Sequence, residues 1–198
     1  MTPLFCLDLE GILIPEIWIR VARRYRVNEL KLTTRDIPNY DQLMRCRLRI
    51  LKKEKIKLRD IQSVIRKMDP LPGARGFLTR LQKAGPVILV SDTYYEFAGP
   101  LMEKLGRPAL FCNSLVTDRA GYISGYRLRR KNGKEKVVRA LKPLGFRIRA
   151  VGDSYNDLGM LKAAHEGVLF NPPASIRKKY RSFPVAKSYS QLLKILLR

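Results

Sequence analysis

Hydrophobic residues recur along this chain in two rhythms. Three short apolar runs, at 4–7, 87–90 and 148–151, each end on polar or acidic residues, as strands buried on both faces do. Between the first two runs the spacing turns helical. Ile17, Trp18, Val21 and Ala22 form one stripe, Leu43, Met44, Leu48 and Leu51 a second, and Leu58, Ile61, Val64 and Ile65 a third. Pro15-Glu16 opens the first stripe and predicts a helix to about Tyr25, and a polar linker through Thr33, Thr34, Asp36 and Pro38 precedes the next. Pro70 and Pro72-Gly73 end the helical stretch.

Beyond that break the rhythms alternate. Helices are expected at 74–83, 95–105 (with a point of interruption at Gly99-Pro100), 134–144, 157–164 and 188–197. Strand character marks 109–112, 114–117, 122–128, 147–151 and 167–170, and Asp118-Arg119-Ala120-Gly121 reads as a hairpin turn. The alternation predicts an α/β fold, a mostly parallel sheet with helices on both faces, built from residues 1–14 and 70–198. Residues 15–69 read as an all-helical insertion, and no internal repeat is visible.

Composition narrows the class. The chain has 198 residues, 45% of them hydrophobic and 9% aromatic, enough for one well-buried core. No apolar run reaches the ~18 residues that span a bilayer, and no basic segment precedes the first apolar run. A soluble cytoplasmic protein is expected, with no membrane partner. Cys6, Cys46 and Cys112 are far apart, which suggests neither a disulfide framework nor a zinc site. His165 is the single histidine and gives little ground for histidine catalysis. The charge stands out: 40 Lys and Arg against 17 Asp and Glu give +23. Such a field concentrates anions of any kind.

The candidate chemistry stands where the strands end. D-L-E-G spans Asp8 to Gly11, S-D-T spans Ser91 to Thr93, and G-D-S-Y-N-D spans Gly152 to Asp157, with Lys134 between the last two. Open α/β sheets bind ligands at the carboxyl ends of their strands. A carboxylate at Asp8 can attack phosphorus, and Glu10 can pass a proton to and from the reacting oxygens. Ser91, Asp92 and Thr93 read either as holders of phosphoryl oxygens or as a helix cap. Asp153 suits Mg²⁺, Asp157 one helical turn on can support that site, and Lys134 can neutralise developing charge. Each piece alone has an ordinary reading as a turn, cap or exposed residue. Together, in this order, they require metal-assisted phosphoryl transfer through a covalent intermediate.

On these motifs the chain resembles the haloacid dehalogenase superfamily, whose core is Rossmann-like. Longer strings, D-L-E-G-I-L-I-P-E-I-W, T-T-R-D-I-P-N-Y-D, R-L-R-I-L, S-D-T-Y-Y-E-F and G-D-S-Y-N-D-L-G-M-L, resemble its bifunctional phosphoserine phosphatase/homoserine phosphotransferase family over residues 4–195. The resemblance implies Asp8 as nucleophile, Glu10 as acid/base, and Mg²⁺ held by Asp8, Glu10 through its main-chain oxygen, and Asp153, with Asp157 counted at the metal site. It implies a helical cap over 15–69 whose Glu16 faces the amino group and Arg47 the carboxylate of phosphoserine. Ser91, Asp92, Thr93, Lys134 and Asn156 would complete the pocket, homoserine would serve as acceptor, and a homodimer is suggested. Most of the superfamily carries Asp where Glu10 stands, and Asn39 replaces an expected Asp.

Two alternatives accompany this reading. The same chemistry serves another small phosphomonoester, since the core motifs do not encode the leaving group. Nucleic-acid binding is the other, prompted by basic clusters at 20–26, 45–59, 127–131 and 177–181. Those clusters are scattered without a recognised binding module, so solvated faces are the preferred reading.

Overall fold

A computed structural model describes residues 1–33, 36–37 and 39–198. Seven strands form one sheet in the order β4-β3-β2-β1-β5-β6-β7. They are β1 (Pro3–Leu7), β2 (Val87–Tyr94), β3 (Ala109–Thr117), β4 (Ile123–Arg127), β5 (Arg147–Gly152), β6 (Glu166–Phe170) and β7 (Val185–Ala186). All neighbours are parallel except β3 and β4, which form the antiparallel hairpin. The helices are α1 (Ile17–Tyr25), α2 (Tyr40–Lys53), α3 (Leu58–Arg66), α4 (Ala74–Ala84), α5 (Tyr95–Lys104), α6 (Gly133–Leu141), α7 (Leu158–Ala163), α8 (Ala174–Lys179) and α9 (Tyr189–Leu196).

Side-chain alternation on β1 divides the core. Phe5 and Leu7 face one apolar cluster with Phe77, Leu81, Phe97 and Leu192, while Leu4 and Cys6 face another with Val138, Ile148, Met160 and Ile176. Helices therefore cover both faces. The described residues from 17 to 66 contain helices and no strand, and Ile17, Trp18, Val21, Ile61 and Ile65 join the first cluster.

Several elements differ from the sequence expectation. Ser91, Asp92 and Thr93 do not cap a helix: β2 continues through them, and Tyr94 is the residue before α5. The helix α5 runs unbroken through Gly99 and Pro100: the proline cannot donate to Glu96 O, and Gln62 Nε2 donates to that carbonyl instead at 3.0 Å. The two strand-like pieces at 109–117 are one strand, and the 134–144 helix ends at Leu141 before a 3-10 turn, Lys142–Leu144. A 3-10 turn also forms Tyr155–Asp157 ahead of α7. The short α8 and β7, and the 3-10 turn Asn28–Lys31, carry too few periodic residues to be read from the sequence. In the 33–38 linker, Thr34 and Pro38 lie outside the described residues. No described helix is long and apolar enough to cross a membrane.

Candidate active site

Register brings the motifs together. Leu7 pairs with Val151 on one side of β1 and with Leu89 on the other, and Asp8 N donates to Val151 O at 2.9 Å. Just beyond these pairs β1 gives way to Asp8 and β5 ends at Gly152, while β2 runs on past Val90 through Ser91, Asp92 and Thr93 to Tyr94. The chain departs in opposite directions from β1, to β2 on one flank and β5 on the other, which opens the crevice.

Lys134, in the first turn of α6, is the hub. Its Nζ lies 2.9 Å from Asp8 Oδ1, 2.7 Å from Asp157 Oδ1 and 3.6 Å from Asp92 Oδ2. Lys134, Asp8 and Asp157 are all buried. Burial would lower the lysine, but Asp157, Asp8 and Asp92 outweigh it and hold the ammonium well above the ordinary lysine range. Among the tips, Asp157 is the most tied. Its Oδ2 accepts from Asp153 N, Ser154 N and the Ser154 hydroxyl, each at 3.0 Å, and its Oδ1 accepts from Lys134. This packing needs glycine at 152, where a Cβ would stand 2.3 Å from Asp157 Cβ.

Asp8, Asp153 and Asp157 offer carboxylate oxygens within 4.8 Å of one another. Burial, then the Asp157 charge, pushes the Asp8 carboxyl well above its ordinary range, against the pull of Lys134. Burial with Asp157 and Glu16 pushes Asp153 up to about 6. Asp8 Oδ1 is ion-paired to Lys134 yet receives no well-directed hydrogen bond. Crowded buried carboxylates with spare lone pairs fit a hard divalent cation, whose charge removes their mutual repulsion. The cradle is tight as well: Gly11 has φ +78°, and a Cβ there would come 2.7 Å from Asp153 Oδ2.

The Glu10 carboxylate is not one of this group. Its Oε2 accepts from Ile17 N at 2.9 Å, at the start of α1. Burial and the neighbouring Glu16 push it up to about 7, opposed by that amide and the Thr93 hydroxyl. As a side chain it is thus not a member of the carboxylate cluster.

A cavity of about 150 Å³ lies over these groups. Asp8, Glu10, Ser91, Asp92, Thr93, Lys134, Asp153 and Asn156 form its base, and Glu16 and Arg47 reach it from the helical segment. Every residue expected at the site lines this space except Asp157, which supports it from behind. Arg47 is buried, its guanidinium stacked 4.4 Å over the Trp18 ring, and Nη2 donates to Leu32 O at 2.8 Å. Its Nε has no hydrogen-bond partner. Asn156 Nδ2 donates to Asp92 Oδ2 at 2.8 Å, joining the β5 and β2 tips.

Sequence reasoning missed part of the wall. Trp18, Tyr40, Leu43 and Tyr94 also line the cavity, and the Tyr40 and Tyr94 hydroxyls lie 2.5 Å apart. Burial raises both phenols, Tyr40 to about 12, so the pair is neutral. The aromatic run after S-D-T and the tyrosine three residues before the second helical stripe were the available signals. Asn39, in place of an expected Asp, caps α2 by accepting from Gln42 N at 3.0 Å, a role Asn and Asp fill equally.

Comparison with known proteins gives the family. The chain is 47% identical over 193 residues to phosphoserine phosphatase ThrH of Pseudomonas aeruginosa, covering 98% of this chain and 94% of that one. It is 46% identical to a phosphoserine phosphatase of Pseudomonas syringae pv. tomato, covering 98% and 81%. Among solved structures, a phospho-aspartyl intermediate analogue of phosphoserine phosphatase superposes with a TM-score of 0.80 at 21% identity, covering 98% of each chain. The profile of the haloacid dehalogenase-like hydrolases matches residues 7–165. The chain belongs to the haloacid dehalogenase-like hydrolase family.

Proposed function

We propose that this protein is a Mg²⁺-dependent phosphoserine phosphatase that also passes the phosphoryl group to homoserine. The observation that carries it is the meeting of Asp8 and Asp153, just past the ends of β1 and β5, with Lys134 of α6 beneath a cavity lined by Glu16 and Arg47. The relatives named above support the substrate.

Asp8 attacks phosphorus; the serine oxygen leaves as the phosphorus–oxygen bond breaks, taking a proton from Glu10. A carboxyl with a pKa of about 7 holds that proton near neutrality. Glu10 then accepts a proton from water, giving hydrolysis, or from the homoserine hydroxyl, giving transfer. Lys134 neutralises charge on the phosphoryl oxygens, and Ser91 with neighbouring amides positions them. Mg²⁺, when bound by Asp8, the Glu10 main-chain oxygen and Asp153, supplies charge stabilisation for the phosphoryl oxygens. Asp157 holds Asp153 and Lys134 in place, since its oxygens are already engaged.

Residues 15–69 act as the cap that selects the substrate. Glu16 meets the ammonium of phosphoserine, and the guanidinium of Arg47, which lines the cavity, meets its carboxylate. Asp92 and Asn156 brace the opposite wall. Phosphorus NMR of phosphoserine incubated with Mg²⁺, with and without homoserine, is the test. Inorganic phosphate alone, then phosphohomoserine on adding the acceptor, is expected. Turnover of other small phosphomonoesters in preference to phosphoserine would overturn the substrate, and absence of phosphohomoserine would remove the transfer activity.

A further inference from the structure

The second charged region of the molecule lies away from the catalytic pocket, at the β7 edge. The basic run at 177–181 is scattered relative to other cations in the sequence, but the fold gathers it. Arg177, Lys178 and Arg181 from α8 and the turn after it face Lys187, Lys194 and Arg198 from the β7–α9 segment across a groove of about 770 Å³. All six are exposed, and no Asp or Glu lines the groove. None of the six makes an ion pair with an acid of the described residues. The floor is apolar: Phe183, Val185 and Ile195, each half-buried.

We propose that this groove binds single-stranded nucleic acid, its cations holding the phosphates and Phe183 offering a face to a base. Six like charges on a concave surface repel one another and focus a positive field, which an anionic chain relieves by releasing its condensed counterions. A rim of cations over an aromatic floor matches the division of a single strand into charged backbone and stacking bases. Inorganic polyphosphate has no use for the floor, and an acidic peptide lacks the regular charge at every unit of its backbone that a row of cations matches. An anionic membrane, being flat, cannot enter a groove whose apolar residues lie at the bottom. No groove residue lines the catalytic cavity, so the two sites are separate.

The experiment is fluorescence anisotropy of a labelled oligouridine RNA of about twelve nucleotides titrated with the full chain. With roughly five phosphates neutralised, affinity should fall about 100-fold between 50 and 200 mM salt. The triple reversal Lys178→Glu, Arg181→Glu, Lys194→Glu, all exposed positions, should weaken binding at least about 100-fold and flatten the salt slope. An equal reversal at Arg20, Arg23 and Lys67, which line a different cavity, should cost less than about tenfold. Phe183→Leu keeps the volume and loses the ring face, and should weaken binding roughly fivefold or more. The proposal is overturned by absence of binding at 150 mM salt. It is equally overturned by equal losses in the two reversals, by indifference to Phe183→Leu, or by preference for duplex RNA or for phosphatidylserine vesicles over the single strand.

Discussion

The catalytic cavity and the β7-edge groove are opposites built from one chain. Five acids, Asp8, Glu10, Glu16, Asp92 and Asp153, line the first, although the protein has only 17 in all. Six cations and no acid line the second. At the cavity Lys134 is tied to three carboxylates, and Asp157 behind it to four donors. In the groove the charges stand apart in water. The contrast teaches that the net charge of +23 says little about the catalytic chemistry. The proposed phosphoryl transfer draws on a local acidic site, while the surplus of Lys and Arg lies elsewhere.

The comparison breaks most sharply at Asp8. Asp8→Asn keeps the shape and removes the nucleophile, and should lower phosphate release from phosphoserine by at least about 10⁴-fold. Residual activity within tenfold of wild type would mean that the acidic pocket is not the reacting centre. Next in size is Arg47→Met, which keeps the stem over Trp18 but deletes the charge. Steady-state kinetics should show kcat/KM for phosphoserine down about 30-fold or more, chiefly through KM. A variant with unchanged KM would detach Arg47 from substrate binding.

A smaller effect sharpens the electrostatics. With its folded pKa raised to about 7, Glu10 binds its proton more tightly in the native than in the unfolded chain. Its contribution is therefore fully present below the unfolded value near 4.5 and is lost as pH rises through about 7. In metal-free protein, Glu10→Gln should match wild type at pH 4 and exceed it by up to about 3 kcal/mol at pH 8, measured by urea unfolding. A constant difference across that range would contradict a neutral buried Glu10. The smallest expected change is in the reciprocal direction: reversing Lys178, Arg181 and Lys194 should leave kcat/KM within about threefold, because salt screens fields beyond roughly a Debye length.

The two regions also differ in how far sequence could reveal them. That the motif residues meet in one cavity was legible because strands expose their ends: an apolar run followed by D-x-E-G or G-D-x-x-N-D fixes both element and direction. Glu16 and Arg47 came from resemblance, since a first-turn acid and one arginine in a basic stretch carry no signal of their own. Tyr40 and Tyr94 escaped notice because aromatic residues at those positions read as core, and their meeting spans 54 residues of chain. S-D-T read as a cap because hydroxyl and acidic residues favour caps; pairing with β3 at Tyr94 extends the strand instead. The groove was invisible because α8 and β7 are too short to show periodicity.

The central claim is that Asp8 carries the phosphoryl group between donor and acceptor. Acid quenching of the enzyme during turnover of phosphoserine with Mg²⁺, followed by mass spectrometry of the peptide containing Asp8, addresses it directly. The account predicts a mass increase of one phosphoryl group on that peptide, discharged by homoserine and absent in Asp8→Asn. Turnover with no phosphorylated peptide at any time point, or with the label on another residue, would contradict it.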